Sequence, residues 1–198
     1  MPAVAPVPAP TRNFLQVHDS YIVEEVTGGF LVIDQHALHE RILYEELRER
    51  VSRAAVPRQR LLTPEIIDLR PDEFLLVMEM REPLLRMGVE VEPFGEKTVA
   101  VHAVPHLAGS VNPSELLLEL IRETREGTPD KRAEREEQLM RVIACKTALR
   151  AGERLTRSQI EALLDQRDRI GPEPTCPHGR PTTLKFDLAG IEKQFRRR

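Results

Sequence analysis

The chain has no tryptophan and only two tyrosines and six phenylalanines, so its core must be built from aliphatic side chains. Cysteine is nearly as scarce. Cys145 and Cys176 are the only two, which allows one disulfide at most. Without an export signal, a thiol or metal role suits them better. Residues 1–10 lack the basic start and apolar centre of a signal peptide. No apolar run approaches the roughly 20 residues that span a bilayer, so no membrane segment is expected. Excess positive charge is absent too. A net charge of −3 and pI of about 6.1 argue against tight passive binding to nucleic acid. Such contact must be local, as at "KQFRRR" (193–198), or come through a partner. What remains, 198 residues with 40% hydrophobic and 31% charged, is globular composition, enough for one domain or two small ones.

"MPAVAPVPAP" reads as an extended Pro/Ala linker, the expected remnant of a longer protein. "YIVEEV" and "FLVID" predict a hairpin turning at Thr27-Gly28-Gly29, with the glycines at positive φ. A helix follows over 37–50, with Leu38, Ile42, Leu43 and Leu47 at helical spacing. "PEIIDL" predicts a strand. Residues 71–88 predict a helix opened by Pro71, bent at Pro83 and closed by Gly88. "VEVEPFGEKTVAVHAVP" predicts a hairpin turning at Phe94-Gly95, and "NPSELLLELIRE" a helix capped by Asn112. After polar "GTPDKRAEREEQ" comes a helix through "QLMRVIACKTALRAG" with Gly152 as its C-cap. Thr156 and Gln159 form a capping box for the next. "GPEPTCPHGRP" must be a rigid loop, "TTLKFDL" a strand and "AGIEKQFRR" a short helix. Strands and helices mix without strict alternation, so the fold class is α+β (mixed α/β).

Chemistry concentrates at "VIDQHALHERILYEEL" (32–47), which is open to two readings: a solvated helix start, or half of a metal site. His36 and Glu40 share a helix face if the helix has begun by His36. Glu45 points about 140° away from Glu40, at roughly 100° per residue, as a supporting or ion-pairing group. Asp34 sits at the strand end, where a carboxylate reaches over the sheet edge. Cys176 and His178 lie one residue apart in the proline-braced loop. Cys145 lies on an apolar helix stripe, where a lone cysteine is ordinarily a small buried hydrophobe. Taken together, nitrogen, sulfur and oxygen donors suit a borderline ion such as zinc, and bridging carboxylates suit a second ion beside it. A nucleic-acid deaminase would need His-x-Glu with Pro-Cys-x-x-Cys, which this spacing excludes.

These residues resemble the MutL mismatch-repair endonucleases. "DQHALHERILYE" matches DQHA-x2-E-x4-E through Asp34, Gln35, His36, Ala37, Glu40 and Glu45. "ACK" (144–146), "CPHGRP" (176–181) and "FRR" (195–197) resemble that family's further motifs, in the same order. The resemblance implies a homodimeric C-terminal domain that nicks double-stranded DNA, with water attacking one phosphodiester. By it, His36, Glu40, Cys145, Cys176 and His178 are metal ligands, with Glu40 bridging, and Asp34 and Glu40 are catalytic. Lys146, Arg180 and Arg197 contact phosphate or organise the site, although Arg180 could equally brace its loop. Zn²⁺ would be structural or regulatory, and Mn²⁺ or Mg²⁺ catalytic. "QRLLTP" is similar to the family's sliding-clamp motif through Gln59, Leu61, Leu62 and Pro64; unaided, it reads as a linker entering a strand with its leucines in the core. A clamp partner would let an acidic domain reach DNA by tethering.

The family pattern also implies two subdomains: a dimerisation/endonuclease part (13–57 and 139–198) and a regulatory insertion (58–138), after a linker over 1–12. A MutS-type mismatch sensor would be reached through the full-length protein, whose ATPase half this chain lacks. The expected place is the bacterial cytoplasm, by the nucleoid. The alternative is a zinc-stabilised dimerisation and clamp-binding module without cutting activity.

Overall fold

The computed structural model describes residues 12–53, 56–107, 111–126, 132–149, 152–171 and 175–197. The linker (Arg12 apart), residues 127–131 and residues 172–174 of the proline loop lie outside them. Three strands, β1 (Phe14–Val17), β2 (Tyr21–Val26) and β3 (Gly29–Asp34), form a meander, and β7 (Thr183–Asp187) adds antiparallel to β3. β1 was not expected from the sequence. It turns into β2 through the three residues His18, Asp19 and Ser20; His18 and Asp19 take positive φ (52° and 48°), and the Ser20 N–H donates to the Val17 carbonyl at 3.2 Å. At the β2–β3 turn only Gly28 takes positive φ (80°). Gly29 serves a different need. It pairs with Asp187, and a Cβ there would run into the Phe186 carbonyl oxygen.

Gly29→Ala should therefore push β7 off the sheet and cost about 1–3 kcal/mol in urea unfolding. Gly28→Ala meets no neighbour and strains only its own backbone, by about 1–2 kcal/mol. Because β7 follows the loop holding Cys176 and His178, Gly29→Ala alone should also weaken zinc retention. Equal loss of zinc in both variants would contradict this account of Gly29.

Asp34 Oδ1 accepts from the backbone N–H groups of His36 and Ala37, both at 3.0 Å, so α1 (Gln35–Arg53) begins before the expected Ala37. The second sheet has the order β4-β6-β5, from β4 (Arg58–Asp68), β5 (Glu90–Pro93) and β6 (Thr98–Pro105). β4 begins at Arg58, ahead of the expected Pro64, and absorbs the "QRLLTP" segment; its register against β6 shifts between Arg60 and Glu65. Pro64 has no N–H to give the ladder there.

The helix expected over 71–88 is two, α2 (Pro71–Glu79) and α3 (Arg81–Arg86), broken at Met80 rather than at Pro83. The proline ring collides with the carbonyl four residues back, which puts the break one turn upstream of it. α4 (Pro113–Glu126) is capped by Asn112 Oδ1, 3.0 Å from Glu115 N. α5 (Arg132–Thr147) starts within the polar stretch and ends short of Gly152, running through the expected subdomain boundary at 138/139. α6 (Arg157–Ile170) has the expected capping box, and α7 (Leu188–Gln194) closes the described chain.

Two antiparallel sheets and seven helices among the described residues make a mixed α/β fold. Ile22 and Ile33, on one face of the first sheet, pack with Leu38, Ile42 and α6 residues Ile160, Leu163 and Leu164. A larger core joins Leu43, Leu47 and Val51 of α1 to α4, α5 and the second sheet. α1 thus threads both cores, which fixes the direction of its polar side chains. No described helix is long and apolar enough to cross a membrane.

Candidate metal centre

Glu40 is fully buried, the only buried charged side chain among the described positions of α1. Neither of its carboxylate oxygens has a well-aligned hydrogen bond. A buried charge left so costs several kcal/mol unless something compensates it. What surrounds it is a set of donors. His36 Nε2 stands 3.2 Å from Oε1, and His178 Nδ1 stands 3.5 Å from Oε2. The thiols of Cys145 and Cys176 also touch the carboxylate. One ligand atom from each of Glu40, Cys145 and His178 lies within 4.8 Å of the others.

Three pieces of fold bring these groups together. Helix spacing stacks His36 on Glu40 because the Asp34 cap starts α1 early enough. α5 packs against α1 and delivers Cys145. The third piece is the loop before β7. Its Thr175–Pro181 bridge, the Cys176 N–H donating to the Arg180 carbonyl (2.8 Å) and the Gly179 N–H donating to the Cys176 carbonyl (2.9 Å) make it a tight turn. The Asp34 N–H donates to the Thr182 carbonyl at 3.0 Å, tying the turn to the start of α1.

The other expected site residues lie elsewhere. Asp34 caps α1, and its charge helps to raise the His36 pKa. Glu45 faces away, paired with Arg41 (2.5 Å) and Arg48 (3.6 Å). Lys146 pairs with Glu119 at 3.6 Å. Arg180 is exposed, its backbone bracing the loop while its charge works to lower the Cys145 pKa. Arg197 is exposed past α7. In the clamp-like segment, Gln59 pairs with Val104, Leu61 packs against the core, Leu62 is fully exposed and Pro64 is half-buried.

Two neighbours of the cluster were given no role from the sequence, although Gln35 stands within the DQHA match. Gln35 is fully buried; its Nε2 donates to the carbonyls of Asp19 (2.8 Å) and Glu153 (2.9 Å), and its Oε1 accepts from Gln16 (2.7 Å). That network clamps the β1–β2 turn to the loop before α6. His39 accepts the Leu149 N–H at 2.8 Å. By helical pattern alone both look like ordinary polar residues, and it is their burial that shows their work.

Burial alone would raise the Glu40 pKa, but contacts with His36 and both thiols and the charge on His36 outweigh it and hold it at about 2. The same Glu40 contact raises the pKa of His36 against its partial burial. Burial, with His36 nearby, lowers His39 to about 4 and keeps it neutral. Burial and the Glu40 carboxylate push Cys145 up to about 12, and burial raises Cys176 as well. Without metal both thiols are therefore protonated at neutral pH. Zinc takes thiolates, so binding must expel those protons, and affinity must rise with pH. Calorimetry at pH 7 in buffers of different ionisation enthalpy should show about two protons released per zinc, plus a fraction from His36. Release of none would remove both cysteines from the ligand set.

The residues present fit a zinc-type ion: two sulfurs and two imidazole nitrogens gathered on one buried carboxylate, with Glu40, Cys145 and His178 mutually within 4.8 Å. Comparison with known proteins bears on what such a centre serves. A family model described as the MutL C terminal dimerisation domain matches residues 14–155. A protein of Phenylobacterium zucineum called DNA mismatch repair protein MutL is 38% identical over 184 residues, 92% of this chain and 30% of that protein. Relatives of the same name from Caulobacter vibrioides (38% over 184 residues, 92% and 29%) and Syntrophus aciditrophicus (37% over 181 residues, 91% and 29%) match similarly. The chain thus spans about three tenths of the length of these relatives. On the family match and these identities, the chain belongs to the family of MutL C-terminal dimerisation domains of DNA mismatch repair.

Proposed function

We propose that this domain is a metal-dependent endonuclease that nicks double-stranded DNA as a homodimer, stimulated by a sliding clamp. The observation that carries the reading is Glu40: a buried carboxylate with both oxygens open, inside a ring of two imidazoles and two thiols. His36, Glu40, Cys145, Cys176 and His178 would hold a zinc ion, and Asp34 with Glu40 offers the oxygen donors that suit Mn²⁺ or Mg²⁺. A divalent ion so held would polarise a phosphate oxygen and lower the pKa of the attacking water. The chain's own part is orientation. His36 is held through Nδ1 by the Leu149 carbonyl at 2.7 Å, which leaves Nε2 for a ligand. Asp34 commits Oδ1 to the helix start, which fixes the carboxylate and leaves Oδ2 to align water. Arg180, beside the centre, meets DNA phosphate, and Arg197 adds a second contact.

The dimer and the clamp each have a surface. Across the outer face of the first sheet, Leu15, Val23, Val32 and Leu184 stand opposite one another in one row over all four strands. Phe30 stacks on Phe186 beside it, with centroids 5.1 Å apart. We assign this face to the partner copy. On edge strand β4, Leu62 projects at the register shift, where an extended peptide or a clamp groove would meet it. The regulatory part (58–138), with the MutS-type sensor and a nucleoid setting in the cell, belongs to the same reading.

A second reading is the zinc-stabilised dimerisation and clamp-binding module that does not cut; the capping duty of Asp34, a sufficient structural reason for that residue, favours it. Nicking of supercoiled plasmid in Mn²⁺, with and without the clamp, separates the two. The wild type should nick and Asp34→Asn should lose roughly a hundredfold or more, while Asn still caps the helix. Leu62→Arg should lose only the clamp's stimulation. Wild-type protein that fails to nick with clamp present supports the module.

A further inference from the structure

Two imidazoles of α1 hold both main-chain groups of one residue on α5's exit. His36 Nδ1 lies 2.7 Å from the Leu149 carbonyl oxygen, and the Leu149 N–H donates to His39 Nδ1 over 2.8 Å. A carbonyl only accepts and an amide N–H only donates. His36 therefore carries its proton on Nδ1, and neutral His39 carries its own on Nε2. The first assignment leaves Nε2, the atom 3.2 Å from Glu40 Oε1, as the ring nitrogen whose lone pair a metal ion would take once the proton it shares with Glu40 is expelled. In a continued helix the Leu149 N–H would bond the carbonyl of Cys145, four residues back. Its donation to His39 instead goes with the end of α5 at Thr147, two residues past Cys145. His39 is 6% exposed, so water does not compete for this bond.

We propose that His39 is a positioning residue of the metal centre: by holding the Leu149 N–H it fixes the Leu149 carbonyl against His36 Nδ1, and so presents His36 Nε2 and Cys145 to a bound ion. The inference rests on the metal-centre reading above. Partners that orient a ligating imidazole typically change metal affinity ten- to a hundredfold when removed. A histidine that merely filled space would affect folding and leave the ligands as they are.

The test uses cobalt in place of zinc, since its visible bands report ligand geometry and its sulfur charge-transfer band reports the thiolates. His39→Leu keeps the bulk and removes the acceptor; His39→Asn keeps an acceptor where Nδ1 was. Expected for His39→Leu are a roughly ten- to hundredfold loss of zinc affinity in chelator competition and altered cobalt bands, with His39→Asn restoring both. Unchanged affinity and bands in His39→Leu overturn the proposal. Should that variant not fold, nitrogen NMR of zinc-loaded wild type decides: an Nδ1-protonated His36 beside an Nε2-protonated His39 supports it, and any other tautomer pair overturns it. Wild type that takes up no cobalt or zinc defeats the metal-centre reading itself, a result distinct from a His39 without effect.

Discussion

Val32→Lys is expected to turn the domain from dimer to monomer at micromolar concentration, measured by sedimentation, with circular dichroism and zinc content unchanged. Val32 pairs with Val23 on one side and Leu184 on the other, at the middle of the row that runs from Leu15 to Leu184. Leu15 and Leu184 are more than half exposed in the single chain, and Phe186 is exposed as well. The opposite face of these strands is the one that packs on α1 and α6 through Ile22 and Ile33. Soluble monomers rarely leave a contiguous apolar sheet face open, and this chain belongs to a dimerisation-domain family. In a two-fold interface both copies carry the substitution, and an ammonium without a partner is costly to desolvate. A loss of roughly 3–5 kcal/mol corresponds to more than a hundredfold in Kd. Leu75→Lys, on an exposed position of α2 away from this face, should remain dimeric. A Val32→Lys protein that sediments as wild type would place the interface elsewhere.

That face shows which parts of the fold were legible in the sequence. Alternation in "YIVEEV" and "FLVID" marks the inner residues Ile22 and Ile33, and the helix of Leu38, Ile42, Leu43 and Leu47 follows from spacing. β1 escaped because its turn uses His18 and Asp19 instead of glycine, so nothing punctuates it. Gly29 was legible as special but for the wrong reason: the strand that crowds it arrives from more than 150 residues later. Pro83 announced a break, and the clash of its ring with the carbonyl one turn back places it at Met80. The apolar row on the outer face exists only through register, which no single strand reveals.

At the centre, types and spacing were enough to nominate His36, Glu40, Cys145, Cys176 and His178, and the fold brings the other four onto the Glu40 carboxylate. The nomination of Asp34 stands differently. A carboxylate just before a helix is also its natural cap, and the structure shows that duty directly. The roles of Gln35, matched only as a motif letter, and of His39 were illegible because their work is done on backbone groups of residues 19, 149 and 153, whose proximity is a tertiary fact.

The largest effect at this centre should come from Glu40→Gln, which keeps the volume and removes the charge. Without metal, the buried carboxylate is held ionised by His36, and that pairing roughly offsets its desolvation. The substitution should therefore move the stability of chelator-treated protein by no more than about 1–2 kcal/mol. With zinc the two proteins part. At about a thousand times Kd, wild type gains about 4 kcal/mol from an ion that binds only the folded chain. Glutamine offers one weak oxygen where the carboxylate offered two charged ones, and its amide protons point at the histidines and thiols that should face the ion. The variant should gain almost nothing from zinc, and its nicking in Mn²⁺ should fall by at least a hundredfold. Urea unfolding with zinc and with chelator gives the first quantity as a difference within each protein, so a general loss of packing cancels. If Glu40→Gln keeps the wild-type increment, Glu40 is not a ligand, and its open oxygens must answer to His36 and His178 alone. If the increment disappears while nicking persists, Glu40 holds the stabilising ion, and the cutting chemistry passes to Asp34.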